Sequence, residues 1–96
     1  MRQASRLQRK VEARKQELKD STVEASAGND RVKATVNGAG ALVNIAIDPE
    51  LLKQEDLAMV QDLIVAAVNA GIAKSEQFVE AEVEKVTGGI KLPGVL

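Results

Sequence analysis

Basic side chains are concentrated at the start of this 96-residue chain. Residues 1–19 carry seven of them, Arg2, Arg6, Arg9, Lys10, Arg14, Lys15 and Lys19, against two acidic ones, a net charge of +5. Residues 20–96 carry six basic and twelve acidic groups, a net charge of −6. Arginine and lysine at this density are typical of surfaces that bind phosphate oxygens. Charge segregated in this way predicts a basic segment that faces a partner, attached to an acidic body.

Catalytic chemistry has little support in the remaining residues. The chain contains no cysteine and no histidine, which excludes thiolate nucleophiles, imidazole bases, zinc sites of the usual ligand set and disulfides. Its serines have neither an imidazole nor a lysine at a recognisable spacing to activate them. The sequence therefore predicts that the protein is not an enzyme and uses neither a cofactor nor a small-molecule substrate.

Two other polar clusters have simpler explanations than ligand binding. The stretch 37–40, Asn-Gly-Ala-Gly, lacks the following lysine and the helix of a phosphate loop and instead predicts a hairpin turn. Glutamates at 76, 80, 82 and 84 could hold a hard cation, but scattered helical carboxylates without convergence favour a solvated helix face. Asp48 and Glu50 are explained by a helix cap and a first helical turn.

The basic segment itself has the pattern of an amphipathic helix over residues 1–19. Apolar residues fall on one stripe at ~100° per residue, in a heptad-like seam interrupted by Arg14. The stripe consists of Ala4, Leu7, Val11 and Leu18. On the opposite face lie Arg2, Arg6, Arg9 and Lys10. This helix needs another element to cover its stripe, and it presents its charges outward.

Beyond that helix the pattern predicts a small sheet and one long helix. Residues 21–47 alternate with a period of two in three short segments separated by turn residues, which predicts an antiparallel three-stranded meander. Residues 56–87 keep helical spacing and end at a pair of glycines, and residues 88–96 form an extended apolar tail. The fold class is therefore α+β, in a single domain spanning 1–96.

The long helix also predicts association of two chains. It would be over ~40 Å long, more than three short strands can cover, so its distal half packs on the first helix, on another subunit or on nothing. A domain of this size buries only about two-thirds of its unfolded surface, and a partner subunit would bury more. Gly71 lies within the apolar face, where it costs about 1 kcal/mol relative to alanine; close approach of another backbone would explain a glycine there, and so would evolutionary drift. We expect a homodimer.

A membrane location is not expected from the sequence. The longest uninterrupted apolar run, 63–68, is far shorter than the ~18 residues that a spanning helix needs, and the N-terminus is too polar for a signal peptide. These features predict a cytoplasmic protein.

Taken together, several strings resemble the YbaB/EbfC family of bacterial nucleoid-associated proteins. They are valine-asparagine-glycine at 36–38, isoleucine-aspartate-proline at 47–49, alanine-alanine-valine-asparagine at 66–69, and the ending at 87–89 followed by leucine-proline-glycine at 92–94. The resemblance covers nearly the whole chain in order. It implies a helix, a three-stranded sheet and a long helix, a dimer with protruding helices, binding to DNA and a location on the nucleoid. The first helix departs from the family pattern by its many arginines.

Two functions remain open at this stage. The first is largely sequence-tolerant binding of double-stranded DNA by a homodimer, with phosphates contacted by Arg2, Arg6, Arg9, Lys10 and Arg14. With no aromatic residue in this helix to stack on bases, single-strand binding is disfavoured. The alternative is a structural adaptor that holds another protein through its protruding helices and apolar tail. Salt dependence distinguishes the two, since phosphate binding weakens steeply as salt rises.

Overall fold

A computed structural model describes residues 2–88 of the chain, and the side chains from residue 5 onward. Helix α1 spans Arg2–Leu18 and is followed by strands β1 (Thr22–Ala27), β2 (Val32–Asn37) and β3 (Leu42–Ile47). A short helix α2 (Pro49–Gln54) leads into the long helix α3 (Leu57–Thr87). The predicted α+β class is confirmed, and the tail expected at 88–96 lies beyond the described residues except for Gly88.

Short-range signals set the boundaries of the last two helices. The side chain of Asp48 accepts a hydrogen bond from the Glu50 N–H at 3.0 Å, with Pro49 at the first helical position. The side chain of Asp56 accepts one from the Met59 N–H at 2.8 Å and caps α3. Gly88 ends α3 in the left-handed conformation, with φ of 63°.

The strands form an antiparallel sheet in the order β1-β2-β3. Val23 of β1 pairs with Val36 of β2, and Ile45 of β3 pairs with Ala34, with an irregularity in the β2–β3 register after Thr35. One face of β2 is fully buried by helix α3, at Val32, Ala34 and Val36. The sheet therefore has one apolar face and one polar face, as the alternation predicts.

Helix α3 covers only part of that apolar face. It packs on β1 and β2 and barely touches β3, while its distal half packs against α1. The molecule measures 60 × 19 × 16 Å, and its radius of gyration is 17.2 Å, against ~13 Å for a compact chain of about this length. The fold is thus elongated, with a small core and a large apolar remainder.

Helix α3 is also long and apolar enough, by length and composition, to cross a membrane. Its apolar residues are spread along the helix, although its longest uninterrupted apolar run is short. Only 17% of an apolar 18-residue stretch of α3 is buried within the chain. Core helices of soluble proteins have the same length and composition, so these properties alone do not place α3 in a membrane.

Candidate functional site

Helix α1 has a buried stripe and a charged outer face, as its periodicity predicts. Val11 and Leu18 are 0% and 2% exposed and hold α1 against the rest of the fold. Arg6, Arg9 and Lys10 are exposed, and among the described side chains none of the three takes part in an ion pair. The side chain of Arg2 lies outside the described part of the chain. The structure thus presents three predicted cations together to solvent.

Arg14, the fifth residue of the predicted set, is engaged elsewhere. Its guanidinium nitrogens lie 2.9 Å from a Glu17 carboxylate oxygen and 3.1 Å from a Glu82 carboxylate oxygen. Glu82 belongs to α3 and also receives the Lys85 ammonium at 2.7 Å. The side chain of Arg14 is 33% exposed and that of Glu82 only 17%. This chain of charges links α1 to α3.

The link favours the charged form of both partners. Hydrogen bonding from Lys85, together with the positive charges of Lys85 and Arg14, lowers the pKa of Glu82 below its ordinary value of 4.5, against a smaller opposing effect of desolvation. Hydrogen bonding to Glu17 and the nearby carboxylates raise the pKa of Arg14. Both groups are therefore charged at neutral pH.

Two contacts fix the inner end of α1 on the β2–β3 turn. The Gly38 N–H donates to the carbonyl of Ser21 at 2.9 Å, and the Ser21 N–H donates to the carbonyl of Leu18 at 3.1 Å. The buried hydroxyl of Ser75 in α3 donates to the carbonyl of Asn37 at 2.7 Å. These bonds join α1, the turn and α3 at one point, from which α1 and the distal half of α3 run side by side.

Of the polar clusters singled out in the sequence, one forms a hairpin turn and the other lies largely on an exposed face of α3. The 37–40 stretch is a hairpin turn, in which the Asn37 side chain accepts hydrogen bonds from the Ala39 and Ala41 N–H groups, both at 3.0 Å. Of the four glutamates in α3, those at 76, 80 and 84 are exposed. Among the described residues no group of three carboxylates could hold a metal ion.

Glu82 is the residue that the sequence reasoning missed. The sequence pattern predicts a solvated position for it, whereas the structure shows it as the partner of Arg14 across the α1–α3 contact. Arg14 is the feature of the sequence that could have indicated such a partner. A charged residue on an otherwise apolar seam needs an opposite charge on the facing element. The sequence alone does not determine which glutamate of α3 provides that opposite charge.

A second surface is apolar. Six large hydrophobic side chains are between 44% and 70% exposed: Leu42, Val43, Leu52, Leu57, Met59 and Val65. Two of them belong to β3, one to α2 and three to the first part of α3. Helix α3 barely touches β3, which leaves Leu42 and Val43 uncovered.

Comparison with known proteins identifies relatives of the whole chain. A sequence model of the YbaB/EbfC DNA-binding family matches residues 1–90. A nucleoid-associated protein of Myxococcus xanthus is 45% identical over 95 residues, covering 99% of this chain and 90% of that protein. One from Moorella thermoacetica is 53% identical over 79 residues, covering 82% of this chain and 76% of the relative.

The fold has a solved counterpart as well. The crystal structure of an uncharacterized protein from Helicobacter pylori superposes with a TM-score of 0.67 at 25% identity, covering 80% of this chain and 89% of that one. The family match over residues 1–90 includes the whole of α1, the sheet and α3, so it agrees with this structural similarity. The chain belongs to the YbaB/EbfC DNA-binding family.

Proposed function

We propose that this protein is a nucleoid-associated protein that binds double-stranded DNA as a homodimer through phosphate contacts from α1. Its family is one of DNA-binding proteins rather than enzymes, in agreement with the missing catalytic groups. Its relatives in Myxococcus xanthus and Moorella thermoacetica are named nucleoid-associated proteins. The same location, on the nucleoid in the cytoplasm, is proposed here.

The observation that carries the proposal is the free basic face of α1. Arg6, Arg9 and Lys10 are exposed and share one face, with Arg2 in phase with them on the helical wheel. Cations that face solvent without acidic partners attract a phosphate backbone and release its counterions. Phosphate contacts read no bases, so binding is largely sequence-tolerant. Arg14 contributes least to direct contact, because Glu17 and Glu82 already hold it.

The apolar surface on β3, α2 and α3 supports the homodimer. The chain exposes 6428 Å², whereas a compact monomer of this length exposes about 5300 Å². The excess, roughly 1100 Å², exceeds the ~800 Å² that each partner buries in a standard interface. A two-fold axis through this surface would give each dimer two basic helices and double their charge. Sedimentation that finds a monomer at micromolar concentration contradicts this part of the proposal.

Charge reversal on α1 tests the phosphate contacts. In a mobility-shift titration on a DNA duplex, the double variant Arg6→Glu with Arg9→Glu should bind at least ~100-fold more weakly at about 100 mM salt. Its thermal stability should change little, since exposed charges contribute little to folding. Replacing Lys10 alone by alanine should reduce the slope of log affinity against log salt by about one unit for each phosphate that the lysine neutralises in the parent protein.

The matched control places the same charge change on the body of the protein. Lys33 on the outer face of the sheet and Lys53 on α2 are exposed, so Lys33→Glu with Lys53→Glu alters net charge equally away from α1. If this control weakens binding as much as the α1 reversal does, net charge rather than the α1 face governs affinity. Unaltered binding by the α1 reversal would refute α1 as the site.

The adaptor function remains the second candidate, and the exposed apolar side chains are the observation in its favour. It predicts no measurable affinity of the parent protein for duplex DNA and a protein complex that is insensitive to salt. DNA binding predicts the opposite, an affinity that falls by orders of magnitude between about 50 and 200 mM salt if several phosphates are contacted. One titration of the parent protein at several salt concentrations separates the two.

A further inference from the structure

The distal half of α3 has an acidic side and a basic side. Its exposed glutamates lie about 100–180° around the helix from Lys85, and they are Glu76, Glu80 and Glu84. Lys74, which is also exposed, precedes Lys85 by about three helical turns and therefore shares its side of the helix. The negative charge of the body is thus unevenly spread, and one side of α3 presents lysines.

The basic side of α3 meets α1 through a shared carboxylate. One oxygen of Glu82 lies 2.7 Å from the Lys85 ammonium, and the other lies 3.1 Å from the Arg14 guanidinium. Because a single carboxylate joins them, these cations of α1 and α3 are neighbours. Lys10, which is exposed, lies one helical turn before Arg14 on α1. The positive charges therefore continue from the basic face of α1, across the contact between the helices, to Lys85.

Exposure to solvent differs between the negative and the positive group of the Glu82–Lys85 pair. The side chain of Glu82 is 17% exposed, whereas that of Lys85 is 76% exposed. An ammonium group has three N–H donors, and among the described residues Glu82 is the one ion-pair partner of Lys85. The remaining donors can bind a phosphate oxygen without breaking the contact with Glu82.

We propose that the phosphate-contact surface extends from α1 onto α3, with Lys85 as a further residue that binds a DNA phosphate. Glu82 holds Lys85 beside α1, so a duplex that lies along the basic face of α1 also meets this lysine. The inference rests on the proposed DNA binding by α1 and adds a second helix to the contact.

Replacing Lys85 tests the proposal in a mobility-shift titration on a DNA duplex. For each phosphate contact that is lost, Lys85→Ala should weaken binding about 5- to 10-fold at about 100 mM salt. It should also reduce the slope of log affinity against log salt by about one unit per contact. Lys85→Arg keeps the positive charge and should keep the slope of the parent protein. If it loses as much as Lys85→Ala does, positive charge at this position is not what binds DNA, and the proposal is overturned.

The control is Lys53→Ala on α2. Lys53 lies in the last turn of its helix, pairs with the glutamate three residues before it and is 73% exposed, and Lys85 has the same arrangement with 76% exposure. Among the described ion pairs, however, none connects Lys53 to a cation of α1. Lys53→Ala should therefore leave the affinity and its salt slope unchanged. Both alanine variants should fold as the parent does, because exposed ion pairs contribute little to stability.

The outcomes separate failure of this inference from failure of the proposed function. If Lys85→Ala behaves like the control while Arg6→Glu with Arg9→Glu weakens binding, α1 binds DNA and Lys85 does not. Equal losses from Lys85→Ala and Lys53→Ala would show that net charge rather than position governs affinity, which also overturns the proposal. A parent protein without affinity for the duplex would refute the DNA-binding function itself, and this inference with it.

Discussion

Replacing Gly38 by alanine should break the joint between α1 and the sheet. A Cβ at this position would lie 1.9 Å from the carbonyl oxygen of Leu18 and 2.7 Å from its carbonyl carbon. Ordinary contact begins at 3.4 Å, so the end of α1 or the hairpin must move by roughly 1.5 Å. The obstacle is backbone at a residue that is only 2% exposed, and it cannot rotate away as a flexible side chain would.

The cost follows from what that movement disrupts. Overpacking a well-packed site costs about 1–3 kcal/mol. The displacement also strains the hydrogen bonds from Gly38 to Ser21 and from Ser21 to Leu18, worth about 1 kcal/mol each. We expect a loss of about 3–4 kcal/mol in the free energy of unfolding, out of the 5–15 kcal/mol typical of native proteins. For a domain of this size that corresponds to a fall in Tm of at least ~12 °C.

Urea unfolding followed by far-ultraviolet circular dichroism measures the effect, since the chain has no tryptophan or tyrosine for fluorescence. Protein concentration must be held constant, because an associating chain unfolds at a concentration-dependent midpoint. The control is Gly40→Ala in the same turn, where φ is +83° but no atom lies within 4 Å of the added Cβ. Backbone strain alone should cost it about 1–2 kcal/mol. A Gly38→Ala variant no less stable than Gly40→Ala would refute the close-approach argument.

Two further predictions concern α3. Gly71→Leu should lower the free energy of unfolding by about 3 kcal/mol or more, because even a Cβ there lies 2.7 Å from the buried Val36 side chain. The control Ala73→Leu, on the exposed face of α3, should change it by no more than about 0.5 kcal/mol in the same urea assay. Equal effects of the two variants would show that α3 does not pack closely on β2 at Gly71. Glu82→Gln should lower Tm at about pH 6 to 7, and its difference from the parent Tm should shrink as pH falls below 4.5 and through the lowered pKa of Glu82. A group with a lowered pKa in the folded state stabilises above its ordinary pKa and loses that contribution as pH falls through the folded value. Glu84→Gln, exposed on the same helix, is the control for thermal melts over this pH range, and a gap between Glu82→Gln and the parent that stays constant down to pH 3 would contradict the role of the Arg14–Glu82 pair.

Much of this molecule follows from signals that span only a few residues. The change of period from helical spacing to alternation separates α1 from the sheet, and Asp48 and Asp56 mark helix starts through bonds to backbone groups two and three residues away. The segregation of positive charge into α1 is likewise a property of the sequence alone. Such features depend on residues that are close together in the sequence, so they do not require knowledge of the tertiary structure.

The contacts that the sequence alone does not determine involve residues far apart in the chain. Arg14 belongs both to the apolar seam of α1 and to the predicted set of phosphate-binding residues. Its partner Glu82 lies 68 residues away in the sequence. The close approach of Gly38 to Leu18 and of Gly71 to Val36 arises where separate elements meet. So does the failure of α3 to cover β3, which leaves Leu42 and Val43 exposed. Periodicity tells which face of an element is apolar, but only packing decides what lies against that face and how much of it remains exposed.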